Sequence, residues 1–206
     1  MIPATFWFLF EVLRDNDLYN RAKAALGTTR NASGSFDTTK LINNPLFQSI
    51  YAEVLRLHTA TMMTRDVKKT HDLESWTLKR GQTVVASTHV EHRDAYWNTV
   101  DSSGHNHPPE EFWAERFLAH DSDAEPSFSV EGMQGKWMPY GMGEHMCPGR
   151  HFAKYEMLLS FAVLVDQFDI EILSPKEWRP DNDLNRYGFG SLLPKQKVEA
   201  RIRRRS

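Results

Sequence analysis

The chain has a single cysteine, Cys147, among its 206 residues. A lone cysteine excludes an internal disulfide framework, a CxxC redox pair and a four-cysteine metal cluster, and it suits a reducing compartment. Long apolar runs are missing too: the stretch from Ile2 to Phe10 is far shorter than the roughly 20 residues that cross a membrane. It has no basic leader and no small-residue cleavage site, so we expect an intracellular chain without an anchor of its own.

An excess of charge of either sign is also absent. The chain has 25 Lys and Arg residues against 27 Asp and Glu, a formal net charge of −2, so nothing predicts a nucleic-acid partner. Apolar residues make up 40% and charged residues 25% of the chain, as in ordinary globular proteins. Internal repeats and domain linkers are missing, which predicts one domain over residues 1–206.

The cysteine lies in the segment Trp137–Arg150, which reads WMPYGMGEHMCPGR. Glycines on both sides allow the backbone to turn tightly and approach a flat ligand. Pro148 predicts the start of a long helix, Pro148 to about Gln167, because a missing N–H costs nothing there. Cys147 would then lie at a helix N-terminus beside His145 and Arg150, surroundings that favour the metal-binding thiolate.

Several kinds of chemistry are compatible with such a cysteine. A single thiolate bound to haem iron increases electron density at the metal and favours O–O cleavage. Three alternatives are open from the residue alone: a buried structural cysteine, a nucleophile paired with His145 or His151, and a zinc ligand, which would need further ligands at fixed spacing.

The whole segment resembles the haem-binding signature of the cytochrome P450 family, an aromatic residue followed by xxGxxxCxG. Tyr140 takes the aromatic position, and Gly143, Cys147 and Gly149 take the others. The string Cys-Pro-Gly-Arg-His-Phe-Ala is similar to that of fungal relatives of sterol 7-hydroxylases and prostacyclin synthase. The resemblance implies haem b as the cofactor, with the Cys147 thiolate as its catalytic iron ligand.

The resemblance extends to the residues around the cysteine. It implies that Tyr140, Gly141 and Gly143 shape the loop against the porphyrin. His145 stands where many members place an arginine that contacts a haem propionate, and Arg65 resembles a second propionate-binding arginine.

A second motif, Glu53-Val54-Leu55-Arg56, lies on a helix that Asn44 is predicted to cap and Pro45 to begin. Glu53 falls on the apolar face of this helix, where a carboxylate needs a partner, and Arg56 is within reach. The motif is similar to the ExxR of the same family, whose pair is joined by a third arginine, here Arg116. The resemblance implies a structural network that locks the loop beneath the haem.

Three residues are candidates for substrate contact. Met62 and Met63 follow the ExxR helix in a segment that passes beside the haem in the family, although core packing explains them equally well. Phe189 lies in Tyr187–Ser191, which resembles the tip of the final hairpin at the substrate pocket.

The first helix, predicted over Ile2–Arg14, resembles the middle of the family's central helix over the haem. Most members have an acid–alcohol pair there that delivers protons to bound oxygen, but the matching positions here are Ile2 and Pro3. The branch of sterol 7-hydroxylases and prostacyclin synthase departs in the same way. Thr5 is explained more simply as a helical threonine bonded to its own backbone.

Periodicity and turn residues predict the remaining elements. They are a helix over 17–26 ended by Gly27, a loop over 27–43, a hairpin pairing 76–79 with 82–86, a solvated loop with His105 and His107, a strand over 168–173, and a half-buried strand that includes Ala200 and Ile202. The segment 88–97 resembles a short helix that follows in the family.

Together these residues predict a mainly α fold with small β-sheets, resembling the C-terminal half of a cytochrome P450 from the oxygen-binding helix onward. The resemblance implies a monooxygenase that takes electrons from an NADPH-dependent reductase and inserts one oxygen atom into an apolar small molecule. The branch suggests a fungal secondary metabolite or a sterol-like compound. The alternatives are a non-catalytic remnant and a peroxide isomerase that needs no reductase.

Full-length relatives are anchored at the cytosolic face of the endoplasmic reticulum by segments that have no counterpart here. The resemblance therefore implies a haem domain truncated at its N-terminus, which would reach a membrane only through residues missing from this chain. We expect the isolated 206-residue polypeptide to lack monooxygenase activity.

Overall fold

Helices supply most of the core in the computed structural model, which describes residues 2–119 and 125–205. Three of them begin at side-chain caps: Asp15, Asp37 and Asn44 each accept hydrogen bonds from backbone N–H groups of the first turn. The helices are α1 (Ile2–Arg14), α2 (Asn16–Thr28), α3 (Thr38–Asn43), α4 (Pro45–His58), α5 (Thr88–Glu91) and α6 (Arg150–Gln167).

The strands form small antiparallel sheets at the edges of the helical core. They are β1 (Thr59–Asp66), β2 (His71–Leu73), β3 (Trp76–Leu78), β4 (Thr83–Ser87), β5 (Thr99–Val100), β6 (Asn106–His107), β7 (Leu118–Ala119), β8 (Ser127–Phe128), β9 (Phe168–Ile172), β10 (Phe189–Ser191) and β11 (Ala200–Arg204). The order β10-β1-β4 makes a three-stranded sheet, and β2-β3, β5-β6, β7-β8 and β9-β11 are pairs. The prediction of a mainly α fold with small sheets is confirmed.

The core lies where α1, α4 and α6 pack together. The Phe161 ring of α6 lies 4.7 Å from Phe8 of α1 and 5.9 Å from Phe47 of α4, measured between ring centroids. Trp7 is buried beside them, and its indole N–H donates to the carbonyl of Leu192 at 2.8 Å. This bond connects α1 to the chain that follows β10, so both border the same side of α4.

Several predicted elements are wrong in detail. Gly27 lies inside α2 rather than after it, and α3 occupies part of the predicted loop. The predicted hairpin does not form, because β3 pairs with β2 while β4 pairs with β1. The predicted strand near the C-terminus forms as β11, but it is exposed on both faces, with Ile202 61% exposed. The helix after the cysteine begins at Arg150, with Gly149 as its N-cap, rather than at Pro148.

Among the described residues, no helix combines the length and apolarity needed to cross a membrane.

Candidate functional site

Cys147 lies on an open cleft of about 500 Å³ between the cysteine loop, α1, α4 and the β1-β10 sheet. Pro3 of α1 and Leu55 of α4 border it together with Tyr140 and Phe189. The cysteine side chain is exposed. The cleft therefore presents a thiol to a space with a mixed apolar and polar border.

The loop before α6 owes its shape to glycine. Gly141 and Gly143 have φ angles of +77° and +70°, in the left-handed region that side chains with a Cβ atom rarely adopt. The turn is closed by the Cys147 N–H, which donates to the Tyr140 carbonyl at 2.9 Å. At Gly149 a Cβ atom would lie 3.7 Å from the Cys147 sulfur. Small residues thus surround the thiol and leave it accessible.

Hydrogen bonds to residues of α4 hold the cysteine loop in place. The hydroxyl oxygens of Tyr51 and Tyr140 lie 2.6 Å apart, and the Trp137 indole donates to the Ala52 carbonyl at 3.1 Å. Burial raises the pKa of Tyr140 to about 12 and also raises the pKa of Tyr51. Both phenols therefore stay neutral at physiological pH and keep their hydrogen bond.

Glu53 is a buried carboxylate shared by two arginines. Arg56 donates to it from Nε at 2.7 Å and from Nη2 at 2.8 Å, and Arg116 donates from Nε at 2.9 Å. The Trp113 backbone N–H adds a bond at 3.1 Å. All three charged side chains are at most 1% exposed, so the structure brings together the three residues that the sequence grouped.

Other N–H groups of the two guanidinium groups donate mainly to backbone carbonyls. Arg56 donates to the carbonyls of His92 and Pro109, each at 2.6 Å. Arg116 donates to those of Trp97 at 2.6 Å and Glu111 at 3.0 Å. The network therefore connects α4 to the segment between α5 and β7.

His92 connects this network to the cysteine loop, a role that sequence reasoning missed. Its Nε2 accepts a hydrogen bond from the Met138 N–H at 3.0 Å, so its Nδ1 carries the proton and donates to the Arg56 carbonyl at 3.1 Å. Burial lowers the pKa of His92 to about 3, which keeps the ring neutral. A histidine that ends a four-residue helix has no periodic signal in the sequence.

The two predicted propionate ligands lie on or beside the cysteine loop. The Arg65 guanidinium donates to the Met142 carbonyl at 2.9 Å, and a Cβ atom at Gly143 would lie 3.8 Å from its Nη2. His145 ends the 3₁₀ turn Gly143–His145, and both side chains are exposed. Arg65 therefore contacts the start of the turn that His145 ends.

Of the three residues predicted to contact substrate, one lines the cleft and two do not. Phe189 lines the cleft and is 84% exposed, whereas neither Met62 nor Met63 belongs to the cleft lining described. Met62 packs at Gly188 instead, where a Cβ atom would lie 3.0 Å from the methionine sulfur. The cleft is bordered on β1 by the alternate residues Thr59 and Thr61.

Thr59 is a further cleft residue that the sequence did not single out. It is 2% exposed, and its hydroxyl has no hydrogen-bond partner among the described residues. Buried polar groups are normally paired, so this hydroxyl is an exception at the border of the cysteine cleft.

A family model and individual relatives both match the chain to the same family. The model of the cytochrome P450 family matches residues 1–200. The chain is 38% identical to cytochrome P450 monooxygenase fsoE of Humicola fuscoatra, with 99% of this chain and 39% of that protein covered. It is 39% identical to cytochrome P450 monooxygenase efuG of Hormonema carpetanum, with 99% and 41% covered. Cholesterol 7-alpha-monooxygenase of Cricetulus griseus is 28% identical, with 96% and 41% covered.

A solved structure supports the same fold. The crystal structure of a cytochrome P450 (CYP102L1) aligns with a TM-score of 0.74 at 21% identity, covering 99% of this chain and 42% of that one. The chain therefore spans about two fifths of the length of the relatives that it matches.

Proposed function

Because the chain belongs to the cytochrome P450 family, we propose that it forms the cysteine-loop side and C-terminal part of a haem-thiolate monooxygenase. Both the family and the fold expected from the sequence are confirmed by these matches. In this proposal Cys147 is the iron ligand, and residues 1–206 form part of a haem domain that is longer in the relatives.

The observation that carries this proposal is the exposed Cys147 thiol on the cleft, behind a turn that only glycine allows. A flat macrocycle needs a backbone without projecting side chains at Gly141, Gly143 and Gly149. The cleft supplies that surface, apolar contacts from Leu55 and Phe189, and one soft ligand. The residues present therefore fit a haem.

Arg65 is the cation that we propose to pair with a propionate. Its guanidinium donates one N–H to the Met142 carbonyl at the edge of the loop, and it has further N–H groups that could bind an anion. His145 lies in the same turn and would donate to the same group or its neighbour. We assign both residues to the anionic edge of the haem.

The bound haem would supply the iron at which dioxygen is reduced and from which one oxygen atom passes to the substrate. The chain's own residues would then shape the substrate side of the cleft. Leu55 and Phe189 offer apolar contact, which suits an apolar small molecule. Relatives named as fungal monooxygenases and as a cholesterol monooxygenase support a secondary metabolite or a sterol-like compound. An NADPH-dependent reductase would be the electron donor.

The residue of α1 that faces the cleft is Pro3, which has neither an acidic proton nor a hydroxyl. This observation also favours a second function, the rearrangement of a peroxide without a reductase. Turnover of an organic peroxide with no reductase present would select this function, and turnover that requires reductase and NADPH would select the monooxygenase.

The test of Cys147 is spectroscopic. The protein is expressed with excess haem precursor, and the spectrum of its reduced carbon-monoxide complex is recorded for the wild type, Cys147→Ser and Met142→Leu. We expect the red-shifted Soret band of thiolate ligation in the wild type and in Met142→Leu, which changes an exposed side chain and keeps the thiol.

In Cys147→Ser that band should be lost, while circular dichroism still reports the native helix content. The same band in Cys147→Ser would exclude Cys147 as the ligand. Failure of the folded wild type to bind haem would contradict the cofactor assignment.

A further inference from the structure

A cluster of metal-binding side chains lies in the segment between α5 and β7, outside the cysteine cleft. Ligand atoms of His105, His107 and Glu111 all lie within 4.8 Å of one another among the described residues. The sequence predicted a solvated loop here, but His107 is only 7% exposed. The cluster has no part in the proposed haem chemistry.

The local backbone explains why these side chains meet. His105 precedes β6 and His107 ends it, so the two residues project from the same face of an extended segment. Their ring centroids lie 4.7 Å apart. A turn closed by the Glu111 N–H, which donates to the Pro108 carbonyl at 3.1 Å, then brings Glu111 back to His107.

His107 has a carboxylate at each ring nitrogen. Nδ1 lies 3.0 Å from a Glu111 oxygen, and Nε2 lies 3.2 Å from an Asp101 oxygen. A neutral imidazole has one N–H, so it can donate to only one of these acceptors. The other contact requires a second proton or a metal cation.

This arrangement matches the way proteins support metal-binding histidines, which usually donate their second N–H to a carboxylate. We infer that His105, His107 and Glu111 form a Zn²⁺ site, with Asp101 orienting His107 through Nε2. Two imidazoles and a carboxylate are a common zinc ligand set. The exposed His105 can rotate to complete it.

A bound Zn²⁺ would stabilise the segment to which the Glu53 network is hydrogen-bonded. His107 stacks on Trp113 with ring centroids 4.2 Å apart, and its carbonyl accepts a bond from Arg116 at 3.4 Å. A cation that fixes His107 would therefore restrict the segment that Arg116 binds. This role is independent of haem and of the proposed function.

The test uses purified protein stripped with a chelator and titrated with ZnCl₂ by isothermal calorimetry. We expect one saturable zinc equivalent per chain and a higher melting temperature when zinc is bound. His105→Ala, which changes an exposed side chain, should weaken binding at least about tenfold, and Asp101→Asn should weaken it about 10–100-fold.

Two controls separate this site from others. His71→Ala removes an exposed histidine on β2, and Cys147→Ser removes the thiol; neither should change the zinc affinity. The absence of saturable 1:1 binding, or an unchanged affinity in His105→Ala, would overturn the inference.

Discussion

At the scale of single residues, Glu53 is the charge whose loss should cost the most stability. Its carboxylate is the shared partner of Arg56 and Arg116 in a buried site. Glu53→Gln leaves two buried guanidinium groups uncompensated, and removing one partner of a buried pair costs ~3–5 kcal/mol. We expect a loss of that size in the free energy of unfolding, measured by urea denaturation of the protein.

An exposed ion pair provides the matched control. Arg201 and Glu171 lie 2.7 Å apart on β11 and β9, with half or more of each side chain exposed. Arg201→Ala should therefore cost at most ~1 kcal/mol. Equal losses in the two variants would show that burial does not determine the strength of the Glu53 network.

His92 predicts a specific pH dependence. Burial lowers its pKa to about 3 in the folded chain, against ~6.5 in the unfolded chain. The stabilisation by the neutral ring is therefore complete above pH ~6.5 and is lost as the pH falls towards about 3, because the unfolded chain binds the proton first.

In His92→Gln, which keeps a donor and an acceptor but does not titrate, the unfolding free energy should decline less steeply across this window. The difference in slope should reach at most ~1.4 kcal/mol per pH unit. Chemical denaturation at stepwise pH values measures it, with His71→Gln as the exposed-histidine control. Identical slopes for His92→Gln and the wild type would show that His92 does not titrate in this way.

At the scale of secondary-structure elements, α4 is the helix that positions both Glu53 and the Tyr51 contact to the loop. Its first turn is capped by Asn44, whose side-chain oxygen accepts the Phe47 N–H at 3.2 Å, and Pro45 follows at the first helical position. Asn44→Ala should destabilise the protein by ~1 kcal/mol, whereas Asn44→Asp should change it little. Thermal unfolding compares the variants; a neutral Asn44→Ala would mean that packing alone defines the start of α4.

At the scale of the whole molecule, exposed aromatic side chains should promote self-association of the haem-free protein. Phe189 borders the open cleft, and Phe152 on α6 is 72% exposed. Exposed apolar surface favours association, so the double variant Phe152→Ser and Phe189→Ser should sediment with a smaller mass than the wild type. Replacing both residues by Leu keeps the apolar surface and should keep the association. Wild-type protein that remains monomeric at high concentration would disprove this.

Short local motifs in the sequence determined the family, the fold and the start of α4. The cysteine signature and the ExxR motif carried the family and the fold, both confirmed, because each motif joins residues within a few positions of one another. Asn44 and Pro45 likewise mark the start of α4, since capping involves only the first turn. Asp37 carries the same type of signal before α3, and the polar composition around it concealed that helix.

Only the tertiary structure decided which distant segments meet. The choice of β1 rather than β3 as the partner of β4 depends on pairing across a loop, and local turn residues do not determine it. The same holds for His92, whose ring joins backbone groups 36 and 46 residues away. It holds for His107 as well, which is buried because Trp113 and two carboxylates fold onto it. Burial of a polar side chain is set by what packs against it from elsewhere in the chain, and a sequence pattern of 2 or 3.6 residues does not contain that information.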